Sequence, residues 1–308
     1  MYLTNLSQIM IKKTILIENK SSITAKNLQL LIKSEIRESS IPIEEIGFLV
    51  LDHPEIYLSI PAMNLLVENN TALIICATNH LPNGMLLNLN SHHIQQEIFK
   101  NQIDASVPLK KQLWQQTIIE KITNQGILLE KIEKSKNQFE YLASKVLSGD
   151  TTNMEAVAAS QYWKRFFETG FKRERFGNYP NNFLNYGYAI LRAATARALS
   201  GSGLLNTLGI HHKSKYNAFA LADDIMEPFR PIVDEAVLNI MQNYDEQELN
   251  TKIKAELLQI LTRTVYFETE KSPLMVALQK TASSLQQCYT GERKKIKYPK
   301  LWNSTDTE

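Results

Sequence analysis

The chain has 308 residues, of which 44% are hydrophobic and 21% are charged, and its formal net charge is +2. This length is enough for two domains, and the composition is that of an ordinary globular protein. The sequence contains no apolar run long enough to span a membrane, and its two cysteines, Cys76 and Cys288, are far apart. Its first nine residues lack the basic and then apolar pattern of an export signal, so we expect none. We therefore expect reduced cysteines, no membrane partner and a cytoplasmic location.

Residues 1–100 have a strand-rich pattern. Apolar residues at helical spacing over 59–70 predict one helix, with Ser59 as its N-cap. Residues 80–85 predict a turn, with Asn83-Gly84 as a strong local signal. The predicted strands, which are rich in β-branched or other apolar residues, are 13–17, 47–51, 72–76 and 85–89. We therefore predict a small β-rich domain over residues 1–100.

Long helical periods dominate residues 101–308, and no strand is predicted among them. The predicted helices are 109–133, 134–147, 154–167, 182–199, 231–243, 246–268 and 273–288. The fold class is therefore predicted as α+β, with the β-rich domain followed by a large all-helical domain over 101–308.

Basic residues are concentrated between positions 161 and 200, where only two glutamates oppose them and aromatic residues alternate with them. This mixture suits phosphate contacts with occasional base stacking, although a solvated helix face is the simpler alternative. If DNA is the partner, we expect it to contact Lys164, Arg165, Arg173, Arg175 and Arg192.

The segment 209–231 carries candidate metal ligands. The pair His211-His212 opens it, and a helical run follows in which Asp224 and Glu227 lie three residues apart and share a face. An imidazole beside carboxylates suits a divalent ion that accepts nitrogen and oxygen ligands, such as Mn²⁺ or Mg²⁺. Alternatively, the histidines pack or cap, and the carboxylates only complement the helix dipole.

These motifs resemble those of the Cas1 family of CRISPR-associated spacer-acquisition integrases, in its type II form. The resemblance rests on Leu-Gly-Ile-His-His at 208–212, Leu-Ala-Asp-Asp-Ile-Met-Glu-Pro-Phe-Arg-Pro at 221–231 and Gly-Asp-x-x-x-x-Glu-Ala-x-Ala at 149–158. It extends over most of the chain. It implies a small N-terminal β-sandwich used for dimerisation and a helical C-terminal catalytic domain.

The resemblance also assigns roles to individual residues. It implies that Glu155, His212 and Glu227 are the catalytic metal ligands, because the family's spacing of fifteen residues before Glu227 selects His212 rather than His211. Asp224 falls at a family acidic position near the metal, where it would hold a ligand or a water in place. From position alone, Glu155 is typical of a first-turn residue that complements the helix dipole.

The implied activity is the joining of prespacer 3′-hydroxyl ends to the CRISPR repeat by transesterification with Mg²⁺ or Mn²⁺. The implied partners are a second copy of the chain, the small protein Cas2, the prespacer and repeat DNA, and other type II CRISPR proteins. Two alternatives remain: a hydrolytic metal-dependent nuclease with the same site, and a non-catalytic helical adaptor that binds protein partners.

Overall fold

A computed structural model describes residues 12–88, 90–133, 138–167, 170–174, 177–267 and 270–302. The chain divides into two compact units, unit 1 over residues 1–87 and unit 2 over residues 88–308. None of the helices in the described ranges is long and apolar enough to cross a membrane.

Unit 1 contains two four-stranded sheets with the strand orders β1-β5-β7-β8 and β4-β3-β2-β6. Its strands are β1 Lys13–Ile17, β2 Ser21–Lys26, β3 Gln29–Ser34, β4 Glu38–Pro42, β5 Ile46–Leu51, β6 Ile56–Leu58, β7 Ala72–Cys76 and β8 Pro82–Leu86, and its α-helix is α1 Ile60–Glu68. In the first sheet β1, β5 and β7 are parallel and β8 is antiparallel. In the second, β2, β3 and β4 are antiparallel and β6 runs parallel to β2.

The core of unit 1 combines side chains from both sheets and from α1. Every residue of β5 is buried, and its sequence, Ile-Gly-Phe-Leu-Val-Leu, contains no polar side chain, as is typical of central strands. Ser59 caps α1 by accepting a hydrogen bond from the Ala62 N–H, as the sequence predicts. The predicted turn over 80–85 is right only at its start. The chain turns over 77–81, where His80 is left-handed (φ 62°), whereas Asn83 and Gly84 lie within β8.

Unit 2 is mostly helical. Its helices are α2 Gln95–Asp104, α3 Val107–Glu133, α4 Phe139–Ser144, α5 Met154–Phe166, α6 Asn181–Gly201, α7 Ala220–Met226, α8 Arg230–Asn243, α9 Thr251–Leu258 and α10 Leu274–Thr290. The 27-residue α3 packs against α4, α5, α7 and α8, whereas α6 packs against α7, α8, α9 and α10. Gly187 lets α6 approach α8 closely, because a Cβ there would lie 2.4 Å from Val233 Cγ1.

The prediction of an all-helical second domain is wrong in one place. Strands β9 Thr264–Phe267 and β10 Glu270–Pro273 form an antiparallel pair within the predicted helix 246–268 and just beyond it. The sequence Thr-Val-Tyr-Phe of β9 is β-branched and aromatic, which favours a strand over a helix. Tyr266 also exchanges two backbone hydrogen bonds with Lys300, at 2.8 Å each, so that the strand is paired on both edges.

Candidate metal centre

Glu155 is positioned by the start of α5. The Asp150 carboxylate accepts hydrogen bonds from the N–H groups of Met154 (2.8 Å) and Glu155 (3.0 Å), which satisfies two of the free donors of the first turn. Asn153 directly precedes the helix with φ 54° and makes no side-chain cap. Asp150 of the motif therefore fixes the backbone at Glu155, whose side chain remains 28% exposed.

Glu227 is positioned by a break between helices. It follows α7 and opens a 3-10 turn, Glu227–Phe229, that leads into α8 at Arg230. Pro228 accounts for this break, because proline supplies no backbone donor to continue α7. The Asn124 side chain of α3 donates a hydrogen bond to the Pro228 carbonyl at 2.8 Å, which holds the turn against α3. Glu227 itself is only 4% exposed.

Lys121 of α3 brings the two glutamates together. Its Nζ lies 2.6 Å from Glu155 Oε1 and 2.6 Å from Glu227 Oε2. The second oxygen of Glu227, Oε1, pairs with Nε of Arg230 at 2.8 Å. Two predicted ligands, one from α5 and one from the turn between α7 and α8, therefore share one buried positive charge.

The charges of this cluster stabilise one another. Burial alone would raise the pKa of Glu227, but Arg230 and Lys121 outweigh it and hold that pKa below its ordinary value. Burial would lower the pKa of Lys121, but Glu227 and Glu155 raise it above the ordinary value. Glu227 and Lys121 are therefore both charged at neutral pH.

His212 belongs to a loop that wraps around Asp224. The wholly buried Asp224 carboxylate accepts backbone hydrogen bonds from Ile210 (2.6 Å), His211 (2.9 Å) and His212 (3.2 Å). Its Oδ1 also lies 2.5 Å from His212 Nδ1. This hydrogen bond raises the pKa of His212, and it leaves Nε2 as the nitrogen available to a metal.

Gly209 permits the close fit of this loop. A Cβ at that position would lie 2.6 Å from the His212 carbonyl oxygen and 2.8 Å from Asp224 Oδ2. Both are firmly placed atoms, so the loop accepts no side chain there.

His211 has a different environment from His212. Its ring stacks on the indole of Trp114, with centroids 4.2 Å apart and planes within 3°. Trp114 is 1% exposed and belongs to α3, so His211 closes the loop onto the same helix that carries Lys121.

The residues present fit a divalent cation. Glu227 Oε2 is buried and, apart from the Lys121 ammonium, has no partner in the described ranges. Among those residues no three His, Cys, Asp or Glu side chains already form a metal-binding group, and the Lys121 ammonium lies between the two glutamates. Two carboxylates and an imidazole held by Asp224 form a donor set that suits Mn²⁺ or Mg²⁺.

The predicted DNA-contacting residues have varied surroundings. Lys164 is exposed on α5, and the neighbouring Arg165 pairs with Glu133 of α3. Arg192 lies over the Phe219 ring at 5.6 Å. Arg175 lies outside the described residues.

Arg173 is engaged within the protein. It donates hydrogen bonds to the Glu174 carbonyl (2.6 Å), Asn181 Oδ1 (3.0 Å) and Asn185 Oδ1 (2.7 Å). Partial burial also lowers the pKa of its guanidinium. DNA contacts by these basic residues stay a prediction.

The residues missed from sequence share a detectable signal. Lys121 and Asn124 lie with Thr117 and Gln125 on one face of α3, at helical spacing, and all four are buried. A polar stripe on the buried face of a long helix indicates that its side chains bind other polar groups. Arg230, which holds Glu227, lies three residues beyond it within the motif.

A β-sheet unit followed by a mostly helical unit matches the Cas1 fold. The family model described as "CRISPR associated protein Cas1" matches residues 14–268, and the chain belongs to this family. It is similar to the CRISPR-associated endonuclease Cas1 of Neisseria meningitidis serogroup C (strain 8013), with 36% identity over 293 residues, 94% of this chain and 96% of that relative.

Two solved structures share the fold at low sequence identity. A casposase bound to integration product has a TM-score of 0.78 and 19% identity, and the match covers 92% of both chains. A chain of a Cas6-RT-Cas1–Cas2 complex has a TM-score of 0.72 and 19% identity, and the match covers 96% of this chain and 36% of that one.

Proposed function

We propose that this protein is a DNA integrase of type II CRISPR adaptation, which joins prespacer 3′-hydroxyl ends to the CRISPR repeat by metal-dependent transesterification. The observation that carries the proposal is the cation position that Glu155 and Glu227 share. His212, whose ring Asp224 orients and whose pKa the Glu227 charge helps to raise, is the third proposed ligand. Two comparisons support it: the similar Neisseria protein is named an endonuclease, and the similar casposase is described with an integration product.

Glu155, His212 and Glu227 would hold Mg²⁺ or Mn²⁺. Such an ion, when bound, polarises the scissile phosphate, favours the deprotonated hydroxyl and stabilises the leaving oxygen. Asp224 keeps the His212 ring in one orientation by binding Nδ1. Arg230 pairs with Oε1 of Glu227, and Lys121 contacts Oε2.

The proposed reaction exchanges one phosphodiester for another. The prespacer 3′ oxygen forms a bond to phosphorus at the repeat boundary, and the bond from that phosphorus to the leaving strand breaks. The incoming hydroxyl loses a proton and the leaving oxygen gains one, so no external energy source is required. A hydrolytic nuclease would use the same residues with water as the nucleophile.

The proposed partners follow from the family. DNA would contact Lys164, Arg165, Arg173, Arg175 and Arg192, and the β-rich unit, as a sandwich, would pair two copies of the chain. A Cas1–Cas2 complex is among the structures that share this fold, and we propose Cas2 and other type II CRISPR proteins as partners in the cytoplasm.

Glu155→Gln tests the proposal, because Glu155 is less buried than Glu227 and contacts only one cation in the site. We expect strand joining in Mn²⁺ to fall at least about 100-fold, as a loss of transition-state stabilisation. DNA affinity and the melting temperature, both measured in EDTA, should change little.

Glu140→Gln is the matched control, because Glu140 also lies in the first turn of a helix, α4. If Glu155→Gln and Glu140→Gln lowered strand joining equally, Glu155 would be only a residue that complements the helix dipole. If the unmodified protein cleaves DNA but joins no strands, the hydrolytic nuclease is favoured. If it neither cleaves DNA nor joins strands, the adaptor is favoured.

A further inference from the structure

The Lys121 ammonium stands where an ion shared by Glu155 and Glu227 would stand. It lies 2.6 Å from one oxygen of each, and its side chain is 10% exposed. The backbone of Lys121 lies in the interior of α3, which is packed against four other helices, so only the four-carbon side chain is free to change conformation.

An ammonium and a metal ion would compete for Glu227. Its Oε1 is paired with Arg230 at 2.8 Å, and Oε2 is the oxygen that contacts Lys121. An ion that binds Glu227 through Oε2 therefore competes directly with the Lys121 ammonium for that oxygen.

Charge repulsion makes this competition strong. Two positive charges a few ångströms apart in a buried site repel far more strongly than they would in water. In the absence of a metal, however, the ammonium offsets the repulsion between two carboxylates, one of which is almost fully buried. Removing Lys121 should therefore destabilise the metal-free protein and favour the loaded one.

We propose that Lys121 is an internal counter-cation that holds Glu155 and Glu227 together in the metal-free protein and is displaced when Mn²⁺ or Mg²⁺ binds. This inference rests on the proposed metal site and adds a positioning residue that limits the affinity of that site. Lysine suits the role because it is a compact charge on a flexible stem, unlike the planar fork of arginine.

Lys121→Met tests the inference, because methionine keeps an unbranched side chain without the charge. We expect a lower melting temperature in EDTA and Mn²⁺ binding at least about tenfold tighter by calorimetry, equivalent to roughly 1.4 kcal/mol. The matched control is Lys131→Met, which removes an ammonium from the same helix, 2.8 Å from Glu235 Oε1. It should lower the melting temperature and leave the Mn²⁺ affinity within about twofold, since Glu235 is no candidate ligand.

The outcomes separate this inference from the proposed function. If the unmodified protein binds no Mn²⁺, the metal site itself is refuted. If it binds Mn²⁺ and Lys121→Met binds it equally or more weakly, the counter-cation role is overturned and the site stands. Should Lys121→Met be unfolded in EDTA, Mn²⁺ must restore its helical circular dichroism, and failure to do so also overturns the role.

Discussion

The adjacent residues His211 and His212 contact different groups in this protein. Asp224 binds the Nδ1 atom of His212 and so fixes a ring whose other nitrogen is available to an ion. His211 instead lies flat on the buried indole of Trp114. Adjacent loop residues point in different directions, and here each direction has its own partner.

We expect His212→Ala to abolish metal-dependent joining and His211→Ala to weaken it only modestly. Loss of an imidazole ligand should lower the joining rate at least about 100-fold, whereas loss of the stack removes a packing contact. Both variants should be assayed for joining in Mn²⁺ and for Mn²⁺ affinity. An equal or greater loss in His211→Ala would show that the motif register is displaced by one residue.

The sequence was informative about residues that lie within motifs. The resemblance to the family implied Glu227, and the family's fifteen-residue spacing then selected His212 rather than His211. The structure places Asp224 against His212, as a residue that holds a ligand in place would be. Their metal roles stay a prediction. Lys121 was not identified because Glu155, one of its partners, is 34 residues away in sequence and contacts it only in the folded unit.

At the scale of elements, Glu235 of α8 joins three other segments of unit 2. Its carboxylate accepts from Lys131 Nζ of α3 at 2.8 Å and from Trp302 Nε1 at 2.9 Å, and it pairs with Arg263, which directly precedes β9. Burial would raise the pKa of Glu235, but Arg263, Lys131 and Trp302 outweigh it and hold the pKa below its ordinary value.

Glu235→Gln should therefore lower the free energy of unfolding at pH 7 by about 2 kcal/mol. Because the folded-state pKa is depressed, this stability is present above the unfolded-state pKa, about 4.3, and is lost as pH falls through the folded-state value. Urea unfolding at several pH values should show a shallower acid loss in the variant. Exposed Glu97→Gln is the control, and parallel pH curves for the Glu235 variant and the unmodified protein would contradict the assignment.

Elements were predictable where one local pattern dominated. Strands β1 and β7 and the long helices α3, α5, α6 and α8 follow apolar periodicity closely. The β2–β3 hairpin was missed because its turn residues, Asn27 and Leu28, are not the usual turn sequence. Both have positive φ, and two-residue turns of this kind usually contain glycine. Helical periodicity over 246–268 was misleading because tertiary pairing of β9 overrides it.

For the whole molecule, a net charge of +2 gives little general attraction to DNA. Affinity must then come from local contacts, and the structure distinguishes two adjacent candidates on α5. Lys164 is exposed, whereas Arg165 is paired with Glu133 before any DNA arrives. A phosphate must compete with that carboxylate for Arg165.

We expect Lys164→Ala to reduce the slope of log K against log salt by about 0.9, the value for one lost phosphate contact. Arg165→Ala should change the slope less. To contact a phosphate, Arg165 must first leave Glu133, and the loss of that ion pair offsets the phosphate contact. Titration of a DNA duplex in EDTA at several salt concentrations measures both. An unchanged slope in Lys164→Ala would assign this face of α5 to solvent.

The stack of His211 on Trp114 has an optical consequence. Indole emission responds to a group lying flat against its face, and Trp114 is one of only three tryptophans in the chain. His211 is joined through one peptide bond to the candidate ligand His212, so a movement of the loop changes what covers the indole. Tryptophan fluorescence in a stopped-flow instrument can therefore follow this loop in real time, without an attached label.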